Sequence, residues 1–182
     1  MLAATEAQDI LQTADLVCPA AAVTQAVQRV AAELSGALAT TNPLVLSVMT
    51  GAVVFTGQLL PLLRFPLDFD YIHLTRYGDS TRGGRIEWKM FPGEKIKGRT
   101  VLVIDDILDE GHTLVEIRRR VLEAGASRFL SAVFADKDIG RQKPIAADFV
   151  GVTLPNRYVF GYGLDVKGAW RNLPEVYAMK QD

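Results

Sequence analysis

Residues 101–114, VLVIDDILDEGHTL, join a short apolar run to three aspartates, a glycine and the start of a helical pattern. The run 101–104 has the length and composition of a buried parallel strand. Asp105 and Asp106 follow it directly, and Asp109 comes three residues later. A strand that passes through a tight turn into a helix presents free backbone N–H groups where the helix dipole favours an anion. The stretch therefore predicts a phosphate site beside carboxylates that can accept hydroxyl groups or hold a metal.

Strand and helix patterns alternate along the rest of the chain. Helices are predicted at 6–39 (interrupted near Cys18-Pro19), 51–63 and 114–124, and strands at 43–50, 67–77, 85–90, 101–104, 127–135, 148–154 and 158–163. This order predicts an α/β fold with a mostly parallel central sheet flanked by helices. The strands 67–77 and 85–90 would form an antiparallel flap, with the polar segment GDSTRGGR at its tip.

The chain shows no internal repeat and no interdomain linker, so residues 1–182 are predicted to form a single domain. Its core would span about 38–154. The tail, about 155–182, would form a small hood over the strand ends together with part of the N-terminal segment.

The composition is that of an ordinary globular protein, with 49% hydrophobic residues and a formal net charge of −1. Such a charge provides no basic field for nucleic acid or an anionic membrane. No apolar run approaches the roughly 18 residues of a membrane span, and the N-terminal residues lack the basic region of a signal peptide. The only cysteine, Cys18, is expected to be buried and suits a reducing compartment. We therefore expect a cytoplasmic protein without nucleic-acid or membrane partners.

Two common nucleotide-binding motifs are missing from the chain. The P-loop pattern G-x-x-x-x-G-K-[ST] does not occur, and Gly161-Tyr-Gly163, the nearest match to G-x-G-x-x-G, lacks the third glycine. The amides at the turn near Gly111 favour a phosphate, whereas the carboxylates beside them would repel a second phosphate and favour sugar hydroxyls. A phosphorylated ribose meets both requirements.

The stretch 101–114 closely resembles the phosphoribosyl-diphosphate (PRPP) binding motif of type I phosphoribosyltransferases. Nearly the whole chain resembles the hypoxanthine-guanine phosphoribosyltransferase family: MTGAVVFTGQLL is similar to its pyrophosphate loop, RYGDSTRGG to its mobile catalytic loop, AVFADK and DFVGVTLPNRYVFGYGLD to its purine-binding strands, and WRNLPEV to its tail. The resemblance implies the type I phosphoribosyltransferase fold with a β-flap catalytic loop and a small hood. It also implies Mg²⁺-dependent conversion of PRPP and hypoxanthine or guanine to IMP or GMP, with release of pyrophosphate.

The resemblance implies how PRPP is held. Asp105 and Asp106 would bind the ribose hydroxyls, directly or through magnesium, and the turn that follows would cradle the 5-phosphate. Arg171 and the Thr50–Gly51 peptide, in the cis form, would hold the pyrophosphate, and Tyr77 with Gly78 would close over it. The implied PRPP-binding set is Thr50, Gly51, Asp105, Asp106, Asp109, Glu110, Gly111, His112 and Thr113.

The resemblance also implies how the purine is read. Asp109 would be the base or hydrogen-bond acceptor at N7, and Lys137 would donate to O6, which selects oxo over amino purines. Tyr158 would stack on the ring and the Val159 backbone would contact its edge. Asp165 would bind a second magnesium. The implied catalytic residues are Asp109, Tyr77 and Arg171, the purine-binding residues are Lys137, Tyr158, Val159 and Asp165, and the metal ligands are Asp105, Asp106 and Asp165.

Two positions depart from the family pattern. Glu110 stands in the phosphate loop where threonine is common, and its carboxylate is expected to turn outward. Thr50 stands where lysine is frequent, which leaves only the backbone contact there. Arg141 would either approach the pyrophosphate or stay exposed. His73 lies among apolar residues and is interpreted as structural.

Two alternatives stay open on sequence alone. One is a phosphoribosyltransferase that prefers xanthine or another base, which residues near Val159 and Asp165 would decide. The other is a regulator that senses PRPP or binds RNA on the same fold. Asp109, Lys137 and the lack of a basic face argue against the regulator. The resemblance further implies a homodimer or homotetramer, for which the apolar helix 51–63 is a candidate interface.

Overall fold

The computed structural model describes residues 2–77 and 85–180 of the chain. The helices are α1 (Ala4–Thr13), α2 (Ala20–Leu38), α3 (Val53–Leu59) and α4 (His112–Glu123), with short 3₁₀ turns at Leu60–Leu62 and Gly93–Lys95. The strands are β1 (Asp15–Cys18), β2 (Leu44–Met49), β3 (Asp68–Tyr77), β4 (Arg85–Met90), β5 (Thr100–Leu108), β6 (Arg128–Asp138), β7 (Phe149–Pro155), β8 (Val159–Phe160) and β9 (Val176–Ala178).

The main sheet has six strands in the order β4-β3-β2-β5-β6-β7. Four of its pairings are parallel and only β3–β4 is antiparallel. The predicted mostly parallel α/β fold is therefore confirmed, and β3 with β4 forms the predicted flap. The tip of that flap, residues 78–84, lies outside the described residues.

Alternate side chains of β5 enter two separate cores. Leu102 and Ile104 are fully buried in the cluster that contains the apolar faces of α2 and α3. Val101 and Val103 are fully buried in the cluster that contains Ile117 of α4. Burial of each such side chain contributes roughly 1.5–3 kcal/mol relative to exposure. Both faces of the strand are therefore covered by helices, which explains why the sequence reads as an unbroken apolar run.

A second, three-stranded sheet has the order β1-β9-β8 and joins the N-terminal segment to the C-terminal tail. The predicted interruption of the helical stretch 6–39 near Cys18-Pro19 is longer than expected, because Asp15–Cys18 forms β1, which pairs antiparallel with β9, and this distant pairing overrides local helix propensity. Cys18 at its end is buried, as expected. The predicted strand 158–163 is shortened to Val159–Phe160, because Gly161 takes a positive φ of 98° and turns the chain.

Within the described part of the chain, no helix has both the length and the apolarity to cross a membrane.

Candidate active site

A cavity of about 800 Å³ lies beside the carboxyl ends of β2, β5 and β6. This is the edge at which open α/β sheets bind ligands. Of the predicted site residues, its wall contains Thr50, Gly51, Asp105, Asp106, Asp109, Glu110, Gly111, His112, Thr113, Lys137, Asp165 and Arg171. The fold therefore brings together four segments, 50–51, 105–113, 137 and 165–171, that the sequence pointed to separately.

β5 runs past the predicted end at residue 104 and continues to Leu108. Asp105 and Asp106 consequently lie within the strand and not in the turn after it. Asp105 is 8% exposed, and its Oδ1 accepts a hydrogen bond of 2.9 Å from the Asp106 backbone N–H. The Asp106 carboxylate accepts one of 2.8 Å from the N–H of Ile107. The extended backbone thus holds both carboxylates in fixed orientations.

The surroundings of Asp105 and Asp106 disfavour the ionised form of both carboxyl groups. Burial raises the pKa of Asp105 well above its usual range, and the neighbouring Asp106 carboxylate adds to this rise. Burial also raises the pKa of Asp106, although its hydrogen bonds and the positive charge of Arg171 oppose the change. A cation or the hydroxyl donors of a sugar would stabilise the ionised pair.

The donor set around these carboxylates fits magnesium only together with oxygens from a substrate. Mg²⁺ is usually held by one or two carboxylates plus substrate oxygens and water. Among the described residues, no group of three or more acidic, His or Cys side chains forms a complete metal cage. Asp165 is separately engaged, with Oδ1 2.5 Å from Arg171 and Oδ2 2.7 Å from the Gly168 N–H. Asp105 and Asp106 are therefore the residues that could provide the protein's share of one partial site.

The turn after β5 leads into α4 as the sequence predicted. Gly111 is the N-cap residue with a φ of 88°, and α4 begins at His112. The positive φ favours glycine at position 111, and space is tight there as well, since a Cβ would lie 3.3 Å from Pro144 and Ile145. The first N–H groups of an α-helix have no partners within the helix, and Gly111, His112 and Thr113 line the cavity, which suits a phosphate.

Asp109 and Lys137 pair directly across the cavity. Lys137 Nζ lies 2.7 Å from Asp109 Oδ2. The lysine side chain is 13% exposed and that of the aspartate is 48% exposed. Lys137 follows Asp136 in β6, and Asp136 is the register partner of Leu108, the residue before Asp109. Two of the groups that the resemblance assigned to the purine are thus in direct contact.

Glu110 pairs with an arginine from another segment. Its carboxylate lies 2.8 Å from Arg141 Nη2 and 4.0 Å from His112 Nε2. The side chain of Arg141 is 68% exposed. The arginine, whose position was left open by the sequence, therefore offsets the extra negative charge in the phosphate loop.

Two glycines permit contacts that sequence reasoning missed. A side chain at Gly51 would collide with the Asp106 carboxylate, and one at Gly163 would collide with the Gly51 carbonyl oxygen. Arg171 continues this chain of contacts, since its Nη1 donates to the Gly163 carbonyl at 2.5 Å. The spacing Gly161-Tyr-Gly163 was the available signal, but it was considered only as a dinucleotide motif. The cis peptide is Met49–Thr50, so its predicted position at Thr50–Gly51 is wrong by one residue.

Several predicted residues do not reach the described cavity wall. Tyr158 is 54% exposed, and Val159 is 6% exposed in β8, where it pairs with Ala178. The ring of Tyr158 therefore points to solvent and the side chain of Val159 points into the core. Tyr77 ends β3, but its side chain and Gly78 lie outside the described residues. The wall also contains His73, which was interpreted as structural, and Asn156, which no motif had singled out.

Comparison with known proteins identifies the class. A family model described as "Phosphoribosyl transferase domain" matches residues 19–167, and the chain belongs to this family. It is 34% identical over 161 residues to a hypoxanthine-guanine phosphoribosyltransferase of Streptococcus pneumoniae, covering 88% of this chain and 89% of the relative. It is 33% identical over 156 residues to a hypoxanthine-guanine-xanthine phosphoribosyltransferase of Tritrichomonas foetus, covering 85% of each chain. The predicted family resemblance is confirmed.

Solved structures agree with this assignment. A hypoxanthine-guanine-xanthine phosphoribosyltransferase matches with a TM-score of 0.77 and 30% identity, covering 91% of this chain and 94% of that one. A hypoxanthine phosphoribosyltransferase from Staphylococcus aureus matches with a TM-score of 0.87 over 94% of this chain and 95% of that one, and its 23% identity supports the shared fold alone.

Proposed function

We propose that the protein is a purine-salvage hypoxanthine-guanine phosphoribosyltransferase. It would join PRPP to hypoxanthine or guanine and release pyrophosphate, forming IMP or GMP. The observation that carries this proposal is the ion pair between Asp109 and Lys137, which stands beside a helix N-terminus and an aspartate pair in one cavity. Relatives with this activity in their names cover most of the chain.

PRPP would lie along β5 with its 5-phosphate at α4. The N–H groups of the turn and the Thr113 hydroxyl would bind the phosphate, and Asp105 and Asp106 would accept from the ribose hydroxyls. The raised pKa values of Asp105 and Asp106 support this orientation, because a phosphate beside these carboxyl groups would add further negative charge, whereas ribose hydroxyls can donate to them. Magnesium held by Asp105 and Asp106 would neutralise negative charge on PRPP oxygens as pyrophosphate leaves.

The purine would separate the Asp109–Lys137 pair. Lys137 would donate to O6, and Asp109 would accept the hydrogen bond or the proton at N7 while the purine bonds to C1 of the ribose. Each side chain then exchanges one charged partner for a polar purine atom, so the cost of opening the pair is largely offset. A 6-amino purine would present a donor to Lys137 and would be disfavoured. Tyr158, which is exposed, would cover the ring, and the Val159 backbone would contact it.

The pyrophosphate would be bound opposite the purine. Arg171 is held by the Gly163 carbonyl and by Asp165, which orients its guanidinium near Gly51. An oriented arginine stabilises the charge that accumulates on the leaving group. Tyr77 would close over this end from the flap. Asp165 would contribute a second magnesium ligand only by giving up its contact with Arg171.

The location and assembly of the protein are part of the proposal. The single buried thiol of Cys18 suits the cytoplasm. A homodimer or homotetramer would cover the exposed apolar side chains of Val53, Leu62, Phe69 and Tyr71, which lie on α3, the following 3₁₀ turn and β3. Light scattering of the purified protein would test this assembly.

The test of the activity is incubation with PRPP, magnesium and, separately, hypoxanthine, guanine, xanthine and adenine. We expect nucleotide from hypoxanthine and guanine and little from adenine. Turnover of xanthine alone would instead favour the xanthine-preferring enzyme; the relative from Tritrichomonas foetus carries xanthine in its name beside hypoxanthine and guanine. The absence of nucleotide with every base would refute the enzyme and favour a PRPP-binding regulator.

A further inference from the structure

A nearly buried lysine joins the two strand ends that carry the proposed purine-binding residues. Lys143, in the segment between β6 and β7, has a side chain that is 11% exposed. Its ammonium donates to the Leu108 carbonyl oxygen at 2.7 Å and also pairs with the Asp136 carboxylate. Leu108 and Asp136 are register partners in the parallel β5–β6 pair. One ammonium therefore links both strands at the same level of the sheet.

The residues that follow these two acceptors are Asp109 and Lys137. Asp109 directly follows Leu108 in the chain, and Lys137 directly follows Asp136. A shift of either strand end therefore changes the distance between the side chains of Asp109 and Lys137. We infer that Lys143 is a positioning residue that sets this separation without contacting the purine. Lys143 lines a neighbouring cavity of about 550 Å³ and not the wall of the larger one. The inference deepens the proposed function and rests on it.

The chemistry of a lysine side chain suits position 143. Its three N–H donors can serve a backbone carbonyl and a carboxylate together, and its charge neutralises Asp136. Methionine has a similar length but donates nothing, so Lys143→Met removes the link while it keeps much of the packing. This variant also leaves Asp136 without its ion-pair partner, which can destabilise the fold. The double variant Lys143→Met/Asp136→Asn removes both charges and avoids that effect.

The test compares steady-state kinetics of the wild type, Lys143→Met, the double variant and Lys143→Arg. Misplacement of binding groups by about 1 Å can cost roughly 100-fold in rate. We therefore expect the purine KM to rise, and kcat/KM for the purine to fall by roughly 10- to 100-fold, in Lys143→Met and in Lys143→Met/Asp136→Asn. The Kd for PRPP should change much less, and Lys143→Arg should recover part of the loss. Lys97→Met, at an exposed lysine, is the matched control and should behave as the wild type.

A second comparison separates positioning from a general structural role. In a Lys137→Met background, Lys143→Met should add little to the purine KM, because the group that it positions is already gone. If Lys143→Met/Asp136→Asn is stable and has the wild-type purine KM, the inference is overturned and the proposed function still stands. Equal losses of purine and PRPP affinity would overturn it as well. A wild-type protein that converts no purine would overturn both the inference and the proposed function.

Discussion

Lys137 Nζ and Asp109 Oδ2 are 2.7 Å apart, and they join β6 to the turn between β5 and α4. The lysine is the more buried of the two, so its N–H donors need an acceptor inside the cavity. A purine can take the place of both partners: its O6 replaces Asp109 as the acceptor for Lys137, and its N7 replaces Lys137 as the partner of Asp109. The geometry of this pair therefore links the shape of the cavity to the choice of substrate.

Lys137→Met should impair purine binding more than PRPP binding. A hydrogen bond to a charged group contributes about 1.5–3 kcal/mol, so kcat/KM for hypoxanthine should fall by roughly 10- to 100-fold. Discrimination against adenine should fall with it, because the donor that disfavours an amino group is gone. Steady-state kinetics with both bases measures this. Lys167→Met, at a lysine whose side chain is 67% exposed, is the control; unchanged discrimination in Lys137→Met would contradict the assignment.

Asp109→Asn should reduce turnover and leave PRPP affinity nearly unchanged. A positioned general acid or base contributes roughly 10²- to 10⁴-fold, whereas the 5-phosphate is held by other groups of the same turn. The measurements are kcat with hypoxanthine and calorimetric titration with PRPP. A loss of PRPP affinity as large as the loss of turnover would count against the role at N7.

Gly51→Ala should displace the Asp106 carboxylate, because the added methyl group would occupy its position. We expect PRPP affinity to fall by at least roughly tenfold through this displacement. Gly57→Ala is the matched control, since nothing lies within 4 Å of a side chain there and alanine favours the helix by about 1 kcal/mol. If Gly51→Ala binds PRPP as tightly as Gly57→Ala does, the contact has no part in binding.

Arg141→Gln should weaken PRPP binding by exposing the phosphate to an unpaired Glu110. The exposed ion pair itself adds little to stability, so thermal unfolding should change only slightly. The double variant Arg141→Gln/Glu110→Gln should recover the wild-type Kd for PRPP. Failure of the second substitution to restore affinity would show that Arg141 contacts PRPP directly.

Asp105→Asn should stabilise the protein at high pH in the absence of magnesium. Folding raises the pKa of Asp105, so the folded chain binds more protons than the unfolded chain between the ordinary and raised values. The contribution of this protonation to the free energy of unfolding is fully present below the ordinary pKa of an aspartate. It is lost as the pH rises through the raised pKa of Asp105 in the folded chain. The variant cannot ionise, so its melting temperature should exceed that of the wild type at about pH 8, with a difference that shrinks towards about pH 4.

Thermal unfolding as a function of pH measures this difference, and Asp9→Asn on the exposed face of α1 is the control. Asp105→Asn should also lose affinity for PRPP, since it removes a carboxylate from the ribose site. A variant less stable than the wild type at about pH 8 would contradict the argument from burial.

The sheet was predictable because its information is local. Apolar runs mark β2 and β5, and Gly111 marks the start of α4, where only glycine fits the backbone. β1 was not predictable in this way, since DLVC becomes a strand only by pairing with β9 at the other end of the chain.

The same distinction between local and long-range information applies to the site. The aspartates of β5 and the turn could be found from their spacing, but the pairing of Glu110 with Arg141 joins residues 31 positions apart. The approach of Gly51 to Asp106 likewise depends on two strands that are neighbours only in the folded sheet. The link from Lys143 to Leu108 has no sequence pattern, because its acceptor is a backbone carbonyl.

The most direct measurement is ³¹P NMR of the protein with PRPP, magnesium and hypoxanthine. The account predicts that the PRPP signals are replaced by equal amounts of nucleoside monophosphate and pyrophosphate, and that Asp109→Asn slows the conversion strongly. PRPP that stays unchanged, or that is hydrolysed to ribose 5-phosphate without nucleotide, would contradict it.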